Sequence, residues 1–257
     1  MNYTNIENTI NQYGFFYYPI NNTTLVNTML DTVKQYFSQP EHIKNNQRHN
    51  SDGLGYIGKN RTRKSSNIVV TKESFTYIPN KIKSIDENVF SEYYNYVKNI
   101  AEDIFHQIMD SNNINKNKYI DIITPPNATL SILHYPQVEM TNKMVGIYPH
   151  YDWGLITVLY TDNNGLQINI NNRWVDVPSK KDHFIINIAD MVEILTNGKY
   201  KSTLHRVINQ EEKYSMALFF EPRKDSIIKP IENSTIYSPV RYSDYHGKKI
   251  FCSYNGN

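Results

Sequence analysis

Apolar residues keep a helical beat through much of the first hundred positions, then give way to short β-type runs. In "NNTTLVNTMLDTVKQYFSQP", Leu25, Met29, Val33 and Tyr36 recur three or four apart, which lines one face of a helix. Asn22 or Thr23 offers an N-cap, and Pro40 a stop. A second helix is predicted over about Ser84 to Met109, with a stripe of Val89, Tyr93, Tyr96 or Val97, Ile100, Ile104 and Ile108. Between them, "SDGLGYIGKN" lacks the following helix and the spacing of a phosphate loop, and reads as a plain turn.

From Thr129 the segments "TLSILHY", "GLITVLY", "GLQINI", "RWVDV", "HFIINIAD", "STLHRVIN" and "YSMALFFEP" follow one another. Many short strands at regular spacing indicate a sandwich or barrel. Asn171-Asn172 separates two of them and makes a two-residue hairpin turn, because Asn tolerates positive φ. The expected architecture is mainly β with flanking helices. Its β-core runs from about Thr129 to Pro222, helices of the first half pack outside it, and a terminal helix covers residues 240 to 250.

Charge narrows the function classes. The 257 residues carry 27 basic and 25 acidic side chains, a formal net charge of +2. That balance argues against a nucleic-acid surface, which shows a concentrated basic excess. The one basic cluster, "KNRTRK" at Lys59 to Lys64, is short and reads as a solvated loop over a phosphate-binding patch. A single cysteine, Cys252, excludes an internal disulfide and thiolate metal clusters. It suits a reducing compartment, and a cytoplasmic location is expected. No apolar run approaches the roughly 20 residues of a membrane helix, and no signal peptide is expected from "MNYTNIENTINQYG".

The candidate chemistry begins in "YPHYDWGLITVLY". Read as one strand, it places His150 and Asp152 on one face and Tyr151 and Trp153 on the other. Of the eight histidines, His150 and His205 stand out as lying in apolar strands, the latter in "STLHRVI". Two imidazoles and a carboxylate can occupy one face of an octahedron, which suits non-haem Fe(II); zinc would draw the same ligands toward four-coordination. The separation of 53 positions from Asp152 to His205 leaves room for strands that return the chain to the far side of a barrel mouth. Downstream, Lys213 and Ser215 share a strand face. Aimed inward, a cation and a hydroxyl suit a carboxylate ligand; at a hairpin end, Lys213 would instead lie in solvent.

These segments, in order, resemble a known family. "PHYDWGLITVLYTDNNGLQINI", "RWVDVP", "NIAD", "LTNGKYKSTLHRV" and "KYSMALFFEP" are similar to the Fe(II)- and 2-oxoglutarate-dependent dioxygenases of the isopenicillin N synthase-like group. Upstream, "QYGFFYYPIN", "YFSQPEHIKN", "GLGYIG" and "KESF" extend the resemblance, as do "LHYP" and, near the C-terminus, "YSPVRYSDY".

The resemblance implies a double-stranded β-helix, or jelly roll. Residues 1–110 would form a partly helical N-terminal region and residues 111–257 the jelly-roll core with its C-terminal segment, one structural unit. It further implies Fe(II) held by His150, Asp152 and His205, with O2 and 2-oxoglutarate as co-substrates. The family's Arg-x-Ser motif falls on Lys213, Tyr214 and Ser215, and Tyr135 matches a tyrosine that reaches the co-substrate. The expected reaction is hydroxylation, desaturation or cyclisation of a small molecule with release of succinate and CO2, and no nucleic-acid or membrane partner is expected. The departures are Lys213 for Arg, Tyr151 for a small residue, Ala189 for Gly in "NIAD", and an N-terminus that looks one strand short. Two alternatives stand beside this reading: a 2-oxoglutarate-independent iron oxidase or cyclase of the same fold, and a non-catalytic binding module.

Overall fold

The computed structural model describes residues 9–59, 61–63, 68–138, 144–208, 211–230 and 236–255. Its first-half strands are β1 (Phe15–Pro19), β2 (Gly55–Ile57), β3 (Arg61–Arg63), β4 (Ile68–Val70) and β5 (Glu73–Tyr77). There follow β6 (Asn127–Tyr135), β7 (Met144–Val145), β8 (Ile147–His150), β9 (Ile156–Thr161), β10 (Leu166–Ile170), β11 (Arg173–Val177) and β12 (His183–Ile188). The last are β13 (His205–Val207), β14 (Lys213–Glu221), β15 (Ile227–Ile228) and β16 (Val240–Arg241). The helices are α1 (Thr23–Ser38), α2 (Glu41–Asn45), α3 (Glu87–Ser111), α4 (Ile120–Ile123), α5 (Asp190–Leu195) and α6 (Tyr242–Asn255).

A seven-stranded sheet runs β1-β12-β9-β14-β6-β5-β2 and faces a four-stranded sheet, β11-β10-β13-β8. From β6 onward the chain passes back and forth between the two, which makes the jelly roll. Every pairing within these two sheets is antiparallel.

Strand alternation divides the apolar residues into two cores. Leu130 and Ile132 of β6, with Met216, Leu218 and Phe220 of β14, belong to the larger core, which includes the buried faces of α1 and α3. Leu133, Tyr135, Ala217, Ile185, Leu166, Ile168 and Val207 form the smaller core inside the roll. Both predicted helices of the first half form. Asn22 caps α1 by accepting from Leu25 N at 3.1 Å. Asp86 caps α3 by accepting from Val89 N, so this helix begins three residues later than the apolar stripe suggested. Asn171 and Asn172 both take positive φ (51° and 63°) in the β10–β11 hairpin, as predicted.

Three expectations are corrected. The first half does more than flank the core, since β1 closes one edge of the large sheet and β5 and β2 the other. The "SDGLGYIGKN" segment is a turn only at its start, then β2 pairs with β5. The segment 148–160 is two strands, not one: β8 and β9 lie in different sheets, joined by a crossing at 151–155. Gly154 packs there against Phe220 O, and a Cβ would lie 2.7 Å from it. In the basic cluster, Lys59 pairs with Glu73 at 3.2 Å and β3 covers 61–63; residues 60 and 64 lie outside the described residues.

Candidate metal centre

The crossing between sheets brings the three predicted ligands together. His150 ends β8 and His205 begins β13, and the two are register partners in the small sheet. Asp152 lies in the crossing itself, so it meets His150 through the turn of the loop rather than through strand alternation. Ligand atoms of all three lie within 4.8 Å of one another, the one such cluster among the described residues. Asp152 Oδ1 is 3.8 Å from Nε2 of each imidazole. The rings stand 4.2 Å apart, tilted by 53°.

Backbone carbonyls fix both histidines. His150 Nδ1 donates to Tyr148 O and His205 Nδ1 to Thr203 O, each at 2.9 Å. A carbonyl can only accept, so each neutral ring carries its proton on Nδ1 and turns the Nε2 lone pair toward Asp152. Thr157 of β9 donates to Asp152 Oδ2 at 2.7 Å, which leaves Oδ1 facing the imidazoles. Backbone amides of the α5 start hold the loop: Asp190 N reaches Asp152 O and Met191 N reaches Gly154 O. Burial and then the nearby His205 push His150 down to about 3, with Asp152 pulling the other way, so the imidazole is neutral. Asp152 and His205 are buried, while the His150 side chain is 25% exposed.

Lys213 and Ser215 point into the roll, and the solvent-exposed alternative for Lys213 is excluded by its 2% exposure. Its Nζ donates to Asn164 O at 3.1 Å and lies 4.9 Å from the ring of its register partner Tyr135. Burial lowers it to about 7, with Asp162 acting in the opposite direction. Ser215 donates to Thr161 Oγ1 at 3.1 Å. Tyr135 is buried, and burial pushes its phenol up. Gly165 makes room for the lysine head; a Cβ there would sit 2.7 Å from Nζ.

Sequence reading passed over two features. His134 also lies in a strand, buried between Glu73 (2.8 Å) and Glu212 (2.9 Å), and His183 lies in β12. The partners of His134 are 61 and 78 residues away, so no local spacing announces them. A cleft lined by Asn117, Asp121, Arg223 and Lys229 shares no residue with this cluster, and none of its side chains has the donor set seen inside the roll.

Fold and site together define a jelly roll with a two-histidine, one-carboxylate cluster. Residues 126–222 match the model of the 2OG-Fe(II) oxygenase superfamily. A 1-aminocyclopropane-1-carboxylate oxidase of Diospyros kaki is 35% identical over 132 residues, covering 47% of this chain and 42% of that protein. The chain spans about half the length of the curated relatives it matches. JOX2, crystallised with 2OG, Fe and JA, superposes with a TM-score of 0.85 at 23% identity, covering 98% of this chain and 81% of that one. A full-length Neurospora crassa protein, crystallised with alpha-KG, gives 0.84 at 20% identity, covering 96% and 89%. These two likenesses are of fold. No described helix is long and apolar enough to cross a membrane.

Proposed function

We propose that this chain is a non-haem Fe(II)- and 2-oxoglutarate-dependent dioxygenase that oxidises a small molecule. The observation that carries the reading is the convergence of two Nε2 lone pairs and one carboxylate oxygen, each already oriented by a second hydrogen bond. That donor set fits Fe(II), and His150, Asp152 and His205 would hold it. When bound, the ion would supply O2 activation coupled to decarboxylation of the 2-oxo acid and oxidation of a substrate C–H bond.

The chain's own residues do the rest. Lys213 offers a buried positive charge, which would bind the distal carboxylate of the co-substrate, with Ser215 and Tyr135 beside it. Gly165, which touches the lysine head, bonds to Ile208, three residues beyond His205. Three strand steps span about 10 Å, a distance a five-carbon diacid chelated at one end could bridge. Leu133, Leu166, Ile168, Ile185 and Val207 line the interior and exclude water around it.

Anaerobic addition of Fe(II) and then 2-oxoglutarate is expected to produce the weak visible charge-transfer band of a chelated 2-oxo acid. His205→Ala is expected to abolish metal uptake. Lys213→Ala is expected to weaken oxo-acid binding and retain the metal. A purified chain that takes up no Fe(II) and consumes no O2 with any 2-oxo acid would be a binding module instead. The lysine at 213 favours one second reading, an oxidase of the same fold in which it holds the substrate's own carboxylate. Turnover at an unchanged rate without 2-oxoglutarate would decide for it.

A further inference from the structure

Buried carboxamides are nearly always hydrogen-bonded, because an unpaired one has given up its water for nothing. Asn187 is 2% exposed, yet its Oδ1 has no partner among the described residues. Among the described residues four other buried atoms lack a partner, the hydroxyls of Tyr36, Tyr93, Ser202 and Thr203, the last two in the segment that leads to His205. Tyr36 and Tyr93 belong to the helix-facing core, and Thr203 Oγ1 packs on Gly14.

The position of Asn187 is what matters. On β12, Phe184, Ile186 and Ile188 belong to the helix-facing core and Ile185 to the roll interior, so alternation turns Asn187 inward. Its register partner on β9 is Thr157, the donor to Asp152 Oδ2. The next residue, Ile188, accepts through its carbonyl from Thr203 N, and the Thr203 carbonyl holds His205. Asn187 therefore stands between the group that orients Asp152 and the segment that orients His205. Paired Cβ atoms in an antiparallel sheet lie about 5 Å apart, so the amide reaches the space beside Asp152. Thr157 already donates to the second carboxylate oxygen, and Asn187 Oδ1 is left without a partner among the described residues.

We propose that Asn187 is a ligand-binding residue of the metal pocket, its carboxamide oxygen accepting from an O–H or N–H donor on the open side of the site, water in the resting protein. This rests on the metal centre proposed above. An apolar side chain would suit the surrounding interior better in the empty fold, and a carboxamide is favoured there only once a donor is present.

The test uses the whole chain, stripped of metal and titrated with Mn(II) alone. Calorimetry reads affinity, and water-proton relaxation reads the water on the bound ion. Asn187→Leu, which removes an unpaired polar group, is expected to melt at or above the metal-free wild type. Its Mn(II) affinity is expected to fall about tenfold, with altered relaxation per bound ion. Asn187→Ser, whose hydroxyl is too short to reach, is expected to show the same weakening, so the prediction stands even if the leucine variant does not fold. Unchanged affinity and relaxation in a folded variant overturn the role of Asn187 and leave the metal centre intact. A wild-type chain that binds no Mn(II) overturns both.

Discussion

Two buried lysines on opposite faces of one sheet answer the same problem in opposite ways. Lys44 of α2, 5% exposed, sits 2.7 Å from Glu73 Oε2 and donates to Phe37 O. Glu73 also receives Tyr56 OH at 2.5 Å, His134 at 2.8 Å and Lys59 at 3.2 Å, and His134 passes on to Glu212. Burial would raise Glu73, but the bonds from His134, Lys44 and Tyr56 outweigh it and hold the carboxyl at about 2. Lys213 is as deeply buried, yet among the described residues no carboxylate lies within ion-pair distance of it. Its neighbours Glu212 and Tyr214 join the closed network, and Lys213, turned to the other face, does not. Charge on the helix side is matched inside the chain, whereas inside the roll no described carboxylate matches Lys213, which the proposed function assigns to an anionic co-substrate. A cation placed this way stabilises nothing in the empty fold, which points to binding rather than architecture.

Breaking the closed side is expected to have the largest effect. Glu73→Ala leaves Lys44 and His134 facing an empty hole, and buried pairs broken on one side lose about 3–5 kcal/mol. A denaturation midpoint in urea reads the loss. Lys213→Met is the opposite case. The metal-free protein is expected to be as stable or more stable, by about 1–4 kcal/mol, because an unmatched buried cation is gone. Affinity for 2-oxoglutarate is expected to drop about 100-fold, equivalent to ~2.7 kcal/mol. A Lys213→Met protein that is less stable and binds the oxo acid normally would erase the distinction between the two lysines.

Titration sharpens the contrast. Lys213 is lowered from 10.5 to about 7 on folding. Its unfavourable contribution to stability is fully present below about 7. It is relieved as pH rises toward 10.5, where the unfolded chain holds the proton and the folded chain does not. A bound dianion needs the ammonium form, so oxo-acid affinity is expected to fall as pH climbs above about 7, approaching tenfold per unit. Lys213→Arg is expected to flatten that slope, because guanidinium does not titrate there. Glu73 runs the other way. Its folded value of about 2 lies below the unfolded 4.5, so its stabilisation is present above 4.5 and lost as pH falls to 2. A shift of that size is worth about 3 kcal/mol, to be seen as a gentler acid limb in Glu73→Gln.

The sequence made some of this legible and hid the rest for physical reasons. The strands β6 and β9 to β14 and the helices α1 and α3 carry local periodicity, and the Asn171-Asn172 turn needs only its own two residues. His150, Asp152 and His205 could be picked out because imidazoles and a carboxylate are rare inside apolar runs. The route by which they meet could not. Alternation gave the right pairing of His150 with Asp152, but the chain leaves the strand after His150 and a sheet-to-sheet crossing does the work. Strands β1, β2 and β5 were missed because "FFYYP", "GYI" and "ESFTY" are short, and β1 finds its partner 164 to 172 residues away. The Glu73 network was hidden for the same reason, with partners 29 and 61 residues distant. Asn187 opens the "NIAD" segment, but its unpaired oxygen could not be read from it, since a strand asparagine becomes unusual only once its lack of a partner is known.

The smallest effect tests whether the two faces are independent. Tyr214 follows Lys213, stacks on His134 at 4.6 Å with planes 7° apart, and has Lys34 Nζ 5.5 Å above its ring. Its side chain belongs to the helix side, while its backbone amide, bonded to Asp162 Oδ1 at 2.8 Å, helps fix the strand that carries Lys213. Tyr214→Leu removes the stack and keeps the backbone bond. The expected loss of stability is about 0.5–1.5 kcal/mol, the usual worth of an aromatic pair beyond its area. Oxo-acid affinity is expected to stay within about twofold, since among the described residues the lysine head meets interior groups, Asn164 O, Gly165 and the Tyr135 ring. Calorimetric titration of 2-oxoglutarate into the Fe(II)-loaded variant reads it. A tenfold weakening would mean that the ring sets the position of Lys213 through the strand, and that the closed network outside the roll is part of the binding site within.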